Sequence, residues 1–184
     1  MATDRNRTRR APRPLDPPRL EELALAYVAR FATSAAKLQQ YLARKLRERG
    51  WDGPGPADLG AIAERFVACG FIDDEAFARA KSGGLLRRGY GPRRVAQVLG
   101  AAGIAEEIRE EVKAGDAEER RAALALASRR RFGPWGDKPE REARQKQLAA
   151  MLRAGHGFDA ARAVIDAPSI SAAEAWAAEA EETR

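Results

Sequence analysis

Apolar residues in this sequence recur at steps of three and four positions, which is the spacing of one face of an α-helix. The first such stripe begins after position 18, and the pattern repeats along most of the chain. The residues of the first stripe are Leu20, Leu23, Ala24, Tyr27, Val28 and Phe31. β-Branched residues are sparse and never form a run as long as a strand. The sequence therefore predicts an all-α fold.

Four of the predicted stripes end at a glycine that is followed by a large apolar residue. These pairs are Gly50-Trp51, Gly70-Phe71, Gly103-Ile104 and Gly157-Phe158. The arrangement is typical of the Schellman cap, in which glycine takes a left-handed conformation and the next side chain packs back on the last helical turn. Gly50, Gly103 and Gly157 are separated by 53 and 54 residues, a spacing that indicates repeats of one supersecondary unit.

Three tandem three-helix repeats fill the chain between two polar ends. We expect the repeats at residues 19–70, 71–115 and 116–168. Units of this size bury little surface alone, so neighbours should dock into an elongated, slightly curved array. The Arg- and Pro-rich residues 1–18 are interpreted as a disordered basic arm, and residues 169–184 as a frayed acidic Ala/Glu tail.

The charge of the chain limits the partners that it suits. Its formal net charge is +6 at pH 7, which favours nucleic acid or an acidic protein surface. No apolar run approaches the roughly 20 residues that span a bilayer, and the Arg-rich start lacks the apolar segment of a secretory signal. The single cysteine, Cys69, excludes an intrachain disulfide and is expected in a core position at a helix end. We therefore expect a cytoplasmic protein that makes no membrane contact.

No set of residues in the sequence supports catalysis or metal binding. His156 is the only histidine and lies in a glycine-flanked loop, so neither a Ser-His-Asp triad nor a multi-histidine metal site is predicted. Asp73 and Asp74 stand where a helix begins, and we interpret them as helix-capping charges rather than a catalytic pair. The glycines around Tyr90 lack the pattern of a nucleotide-binding loop. The sequence predicts a binding protein that is not an enzyme and uses no cofactor.

The most unusual segment is a glycine-rich turn, residues 87–94, which has an arginine pair on each side and a tyrosine at its centre. Arg87 and Arg88 end one helix, where positive charge is favourable. Arg93 and Arg94 begin the next helix, where each positive charge opposes the helix dipole by about 0.3 to 1 kcal/mol. Residues that break a local rule are candidates for function. Because arginine pairs with phosphate or carboxylate groups and tyrosine stacks, we interpret this turn as a partner-binding site.

Three stretches of the chain form a recognisable set. They are Gly70-Phe-Ile-Asp-Asp-Glu-Ala-Phe-Ala-Arg79, Arg87-Arg-Gly-Tyr-Gly-Pro-Arg-Arg94 and Gly103-Ile104. This set resembles the core of the RecX family, bacterial regulators of the recombinase RecA. The resemblance extends to the first helix pair and, more weakly, to residues 116–166. It implies three tandem three-helix repeats and binding to RecA filaments on DNA, with restraint of RecA's ATP hydrolysis, strand exchange and co-protease activity.

The resemblance also suggests roles for residues of this chain. The motif residues that should build the middle repeat are Asp73, Asp74, Phe77, Tyr90, Gly91 and Pro92. The residues that we expect to contact the RecA filament are Arg87, Arg88, Tyr90, Arg93 and Arg94, with Arg44, Lys45 and Arg47 as secondary basic candidates. The chain departs from the family pattern at Gly83-Gly84, where relatives usually carry a longer polar and aromatic helix. It departs again at residues 153–158, where relatives have a compact Arg-Gly-Phe.

A direct, non-specific DNA-binding module is the alternative function. The helix that begins at Pro92 could enter a major groove, but few of its side chains remain free to read bases. Such binding would depend on phosphate contacts and would fall steeply with salt. No long heptad pattern predicts a coiled-coil dimer, so we expect a monomer whose binding to single- or double-stranded DNA is weak.

Overall fold

The computed structural model describes residues 13–137 and 140–182, and these residues form ten α-helices and no strand. The helices are α1 (Pro17–Val28), α2 (Ala35–Arg49), α3 (Leu59–Ala68), α4 (Asp74–Arg87), α5 (Pro92–Ala101), α6 (Glu106–Glu111), α7 (Asp116–Arg130), α8 (Arg141–Arg153), α9 (Phe158–Ile165) and α10 (Ile170–Glu182). The all-α prediction is confirmed.

The chain divides into two compact units, Met1–Asp73 and Asp74–Arg184. The limits of the individual repeats stay predictions.

The first unit holds α1, α2 and α3 around an apolar core. Its larger buried side chains are Leu15, Leu20, Leu38, Leu42, Ile62, Phe66 and Ile72. Each helix begins at a polar cap, because side-chain oxygens of Asp16, Ser34 and Asp58 accept backbone N–H bonds of 2.9 to 3.2 Å. Cys69 is the C-cap of α3 and is exposed, so its predicted core position is wrong.

The second unit holds α4 to α10 and contains two clusters of buried side chains. Larger members of the first cluster, contributed by α4, α5 and the segment after α5, are Leu85, Leu86, Val95, Leu99 and Ile104. Larger members of the second, contributed by α7, α8 and α9, are Leu126, Leu148, Met151, Val164 and Ile165. Adjacent residues of α7 serve both clusters, since Ala122 belongs to the first and Ala123 to the second. Helix α7 therefore connects the two groups of helices in this unit.

Schellman caps end five of the described helices. In each cap, the second residue donates its backbone N–H to the carbonyl five residues earlier, at 2.9 to 3.2 Å. The first residue has a positive φ of 56° to 95°. The caps are Gly70-Phe71, Gly89-Tyr90, Gly103-Ile104, Arg131-Phe132 and Gly155-His156. The predicted caps at Gly70 and Gly103 are confirmed.

The predicted Schellman caps at Gly50 and Gly157 are wrong, although Gly50 does end α2 with a positive φ of 82°. The N–H of Gly50 donates to the carbonyl of Leu46 at 2.8 Å, and its ψ of 169° leads the chain into an extended segment. Gly157 has a φ of −69° and is the N-cap of α9. Two glycines flank His156, and the left-handed conformation falls on Gly155, the one nearer the end of α8. The spacing of 53 and 54 residues therefore does not join equivalent caps.

The predicted disordered arm extends too far along the chain. Residues 1–12 lie outside the described residues, but residues 13–18 are ordered by contacts with the first unit. Leu15 is fully buried, and its N–H donates to the carbonyl of Gly50 at 3.0 Å. Asp16 caps α1, which begins with two prolines whose fixed φ suits a first helical turn. A buried apolar residue, a helix cap and hydrogen bonds from Arg49 and Asp52 to the backbone of Arg13 and Leu15 hold this segment.

The predicted frayed tail is also wrong over residues 170–182, because α10 packs against α7, while residues 183 and 184 lie outside the described residues. The inner face of α10 is made of small residues, with Ala173 and Ala177 buried and Trp176 half-buried. The Arg120 guanidinium lies 4.8 Å from the Trp176 ring centroid and donates to the Trp176 carbonyl oxygen at 2.6 Å. Arg121 adds an ion pair with Glu181. Alanine gives a weak apolar signal in sequence, although it allows a close approach between helices.

Candidate functional site

The glycine-rich turn between α4 and α5 packs against the turn between α8 and α9, and we call this contact the junction. The N–H of Gly91 donates to the carbonyl of Ala154 at 2.9 Å. The N–H of Arg93 donates to the carbonyl of Gly155 at 3.1 Å. Main-chain bonds therefore hold the two turns together, whatever side chains stand around them.

The junction requires glycine because the main chains touch. A Cβ atom on Gly91 would lie 2.4 Å from the carbonyl carbon of Gly155 and from the nitrogen of His156. A Cβ on Gly155 would lie 2.4 Å from the nitrogen of Arg94, and a Cβ on Gly89 would lie 2.7 Å from the backbone of α7. All three distances are far shorter than a carbon contact of about 3.5 Å. Gly89 and Gly91 thus have a structural reason for their place in the turn.

His156 is a buried link across the junction. It is 1% exposed, and its Nε2 lies 3.0 Å from the carbonyl oxygen of Gly89. A carbonyl oxygen only accepts, so Nε2 carries the proton and donates it. Burial lowers the pKa of His156, and the hydrogen bond to Gly89 opposes that shift. The predicted loop position is correct, and the sequence did not indicate that the ring reaches the other turn.

The remaining motif residues lie in or beside α4 and α5, whose buried side chains belong to the first cluster of the second unit. Phe77 and Tyr90 are half-buried against its cluster. Pro92 is the first residue of α5, the position at which its missing N–H costs nothing. Asp74 opens α4, where negative charge is favourable, and Asp73 stands directly before it.

The arginines after the glycine-rich turn point to separate places. Arg93 and Arg94 are both exposed. Arg94 Nη1 donates to Gln97 Oε1 at 2.6 Å, one turn further along α5. Arg93 lines a groove between α5 and α6 of about 240 Å³. The two side chains therefore do not form one fork for a single anion.

The arginines before the turn diverge as well. Arg87 lies back along α4, where a Cβ on Gly83 would be only 3.1 Å from its Nη1. The Arg88 guanidinium lies 5.5 Å from the centroid of the Tyr90 ring. Of the four arginines in the turn, Arg88 is the one that contacts Tyr90. The structure does not gather four guanidinium groups around that ring.

A pocket of about 200 Å³ opens beside Tyr90, and we call it the junction pocket. Its walls include Tyr90, Leu126, Arg129, Arg130, Phe132 and Arg153. Arg129 and Arg130 come from the end of α7, and Arg153 comes from the end of α8. These three arginines were not among the residues predicted to contact a partner, although the run Arg129-Arg130-Arg131 at a helix end was a visible signal.

The basic residues around the junction have no acidic partners among the described residues. Ion pairs elsewhere in the second unit join arginine or lysine to nearby carboxylates, as between Arg144 and Asp166. No described carboxylate lies within 4.0 Å of the guanidinium groups at the junction. Those groups belong to Arg87, Arg88, Arg93, Arg94, Arg129, Arg130 and Arg153. Their charge is left to solvent or to a partner.

The secondary basic candidates on α2 have a different environment. Arg44 and Lys45 both pair with Glu48, at 3.6 and 2.6 Å. Their cationic groups also lie 5.5 and 5.9 Å from the Tyr41 ring centroid. The hydrogen bond from Lys45 lowers the pKa of Glu48, and the charges of Arg44 and Arg47 act in the same direction. Helix α2 therefore compensates part of its own positive charge.

Two general findings limit the chemistry of the described residues. In residues 13–137 and 140–182, no three His, Cys, Asp or Glu side chains lie close enough to hold a metal ion. None of the helices in those ranges is long and apolar enough to cross a membrane.

Known proteins are similar to this chain in sequence and in fold. The family model for the second three-helix domain of RecX matches residues 73–112. Regulatory protein RecX of Myxococcus xanthus is 34% identical over 166 residues, which is 84% of this chain and 88% of the relative. The Thermus thermophilus protein of that name is 36% identical over 135 residues, 73% of this chain and 83% of the relative. These matches and the fold define a regulatory protein built of small helical domains. The chain belongs to the RecX family, and the resemblance found in the sequence is confirmed.

Two solved structures share the fold. The crystal structure of RecX from Lactobacillus salivarius matches with a TM-score of 0.60 and 17% identity, covering 78% of this chain and 90% of that one. A crystal structure of regulatory protein RecX matches with a TM-score of 0.61 and 19% identity, covering 78% and 68%. At these identities the likeness shows the helical repeat fold alone.

Proposed function

We propose that this chain regulates RecA by binding the RecA filament on DNA and restraining its ATP hydrolysis, strand exchange and co-protease activity. Membership of a family of regulatory proteins supports the regulatory role. The RecX resemblance of residues 70–79 and 87–94 supports RecA as the partner. The observation that carries the proposal is the set of exposed arginines around the junction that have no described carboxylate within reach.

The junction favours binding through these arginines because it fixes their main chain in advance. Gly91 and Arg93 are held by backbone hydrogen bonds of 2.9 and 3.1 Å, so little main-chain entropy is lost when a partner docks. Arg87, Arg88, Arg93 and Arg94 can then reach several acidic or phosphate groups along an extended partner, since their side chains diverge. Arg44, Lys45 and Arg47 contribute less because Glu48 already compensates two of them.

The test is the rate of single-stranded-DNA-dependent ATP hydrolysis by the cognate RecA, measured while the full chain is titrated at fixed salt. Wild-type protein should lower the rate. The double variant Arg93→Ala/Arg94→Ala should need at least about tenfold more protein for half-inhibition, a loss of roughly 1.4 kcal/mol of binding. Both side chains are exposed, so far-UV circular dichroism should show unchanged helix content.

A matched control removes the same charge from the same unit. Arg79 and Arg141 are exposed residues of α4 and α8, and neither belongs to the glycine-rich turn. The variant Arg79→Ala/Arg141→Ala should inhibit RecA within about twofold of wild type. If wild-type protein at excess leaves the ATPase rate unchanged, the RecA proposal is wrong. Direct DNA binding then becomes the better account, and retention of bound DNA should fall steeply as salt is raised.

A further inference from the structure

Three helices end at the junction pocket. The arginines there carry more positive charge than the negative ends of the three helix dipoles can compensate. Helices α4, α7 and α8 all end at its rim. A helix C-terminus carries roughly −0.5 elementary charge, so three ends offer roughly −1.5. Four arginines, Arg88, Arg129, Arg130 and Arg153, line the pocket or cover its tyrosine. Helix dipoles alone therefore do not explain the cluster, and the surplus charge suits an anion.

The walls of the pocket are aromatic as well as basic. Tyr90 and Phe132 are each the second residue of a Schellman cap, and both are half-buried. Each ring is therefore held in place by its own helix end. Rings placed beside guanidinium groups are the features by which proteins hold an unpaired base next to its phosphate. A carboxylate would use one arginine fork and would make no use of the exposed part of either ring.

We propose that the junction pocket binds a phosphate ester next to an unstacked base, with the phosphate on Arg129, Arg130 and Arg153 and the base against Tyr90 and Phe132. Such a group is carried by a single strand of nucleic acid or by a free nucleotide. The pocket volume of about 200 Å³ is below the 300 to 1,000 Å³ usual for small-molecule sites, which favours one unit of a longer strand. This site goes beyond the regulation of RecA and is tested without RecA.

The experiment measures binding of a fluorescein-labelled oligo(dT) of about 20 nucleotides by anisotropy, with the full chain at several salt concentrations. The variant Arg129→Gln/Arg153→Gln should raise Kd at least tenfold. It should also reduce the slope of log K against log salt by roughly 0.7, since the pocket holds one phosphate and each phosphate contact on a single strand contributes about 0.7. Arg79→Gln/Arg141→Gln is the matched control, because it removes two charges from exposed residues of the same unit, and Arg141 begins the helix that Arg153 ends and lies about 18 Å away. It should change Kd by less than twofold.

Three comparisons with wild-type protein identify the ligand without any variant. An oligonucleotide of equal length whose bases are removed should bind at least threefold more weakly, because the rings have no base to contact. A duplex should also bind more weakly, since its bases are stacked. Thymidine monophosphate that competes as well as the same concentration of strand nucleotides would identify a free nucleotide as the source.

The proposal is overturned by either of two results. One is a pocket double variant that binds oligo(dT) with the Kd and salt slope of the control Arg79→Gln/Arg141→Gln. The other is an acidic peptide, such as oligo-glutamate, that competes with the strand at equal charge, since the pocket would then take carboxylates. A second pair, Arg88→Gln/Arg130→Gln, repeats the test should the first pair lose helix content.

Discussion

Two surfaces of this molecule place arginine or lysine beside a tyrosine, and they differ first in whether a carboxylate lies near the cations. On α2, Arg44 and Lys45 lie near Tyr41, and Glu48 reaches both cations. At the junction, Arg88 lies over Tyr90 at a similar distance, and no described carboxylate lies within 4.0 Å. The presence of a local acidic partner, rather than the number of basic residues, separates a surface that compensates its charge from one that needs a partner.

The two surfaces also differ in how they are held. Tyr41 stacks on Tyr27 at 4.2 Å within the core of the first unit, so one face of its ring is already occupied. Tyr90 is positioned by a turn whose main chain touches another turn far along the sequence. A binding site at the junction therefore depends on contacts that only the folded second unit provides.

The largest effect is expected from a substitution that breaks the junction itself. Gly91→Ala places a Cβ 2.4 Å from the backbone of Gly155 and His156, and the turns must separate. We expect the free energy of unfolding to fall by about 3 kcal/mol in urea denaturation, the upper end of the usual cost of overpacking. Hydrogen exchange should accelerate in α5 and α8.

The control for that substitution is Gly84→Ala. A Cβ on Gly84 meets nothing within 4 Å, and the residue lies inside α4. This change should stabilise the chain by about 0.5 to 1 kcal/mol, since alanine favours the helix. Equal effects of the two substitutions would contradict the close contact at Gly91.

The next largest effect is expected from acid, which should destabilise the junction. Because burial lowers the pKa of His156 in the folded chain, the unfolded chain takes up a proton below about pH 6.5 that the folded chain resists. The free energy of unfolding should therefore fall by about 1 kcal/mol between pH 7.5 and 5.5, as measured by urea denaturation at each pH. Burial raises the pKa of Glu119, which acts in the opposite direction at lower pH. His156→Gln should lack the loss, and a wild-type curve that stays flat would refute a buried neutral His156.

A smaller effect is expected at the one described residue other than glycine that has a positive φ. Arg131 has a φ of 56° at a cap position where the other four Schellman caps have glycine. Arg131→Gly should stabilise the chain by about 0.5 to 1 kcal/mol in urea denaturation, because glycine adopts this conformation without a Cβ clash. Arg130→Gly, one residue earlier and inside α7, should destabilise it instead. The reverse order would contradict the cap.

The smallest effect is expected from a substitution that makes the two basic surfaces more alike. Glu48→Gln removes the carboxylate that pairs with Arg44 and Lys45. We expect the affinity for oligo(dT) to rise about twofold, in line with the small energy of an exposed ion pair. Glu64→Gln, an exposed change on α3 that alters net charge equally, should have less effect in the same anisotropy assay. An equal gain from both would mean that only net charge matters.

The positions of the helices could be predicted because each depends on neighbours in sequence. Ser34 caps α2 and Pro92 opens α5, and both signals lie within one turn of the helix that they start. The predictions for the arm and the tail were wrong because the apolar signal in those segments is weak. Leu15 is a lone apolar residue before Asp16, and α10 is held by a stripe dominated by alanine, with Ala173 and Ala177 buried.

The candidate site was only partly predictable. The sequence pointed to the glycine-rich turn as a candidate, because arginines at the start of a helix break a local rule. It could not show that His156 bonds to Gly89, since 67 residues separate them and their contact is purely tertiary. It also could not bring Arg129 and Arg153 to Tyr90, because that requires the relative placement of α7 and α8.

The most direct test compares the two basic surfaces on the proposed partner. RecA ATP hydrolysis on single-stranded DNA should be titrated with wild-type protein, with Arg93→Ala/Arg94→Ala and with Arg44→Ala/Lys45→Ala at one salt concentration. We expect at least a tenfold rise in the half-inhibitory concentration for Arg93→Ala/Arg94→Ala and less than a twofold rise for Arg44→Ala/Lys45→Ala. Equal losses, or a larger loss from the α2 variant, would contradict the conclusion that unpaired arginines at the junction make the regulatory contact.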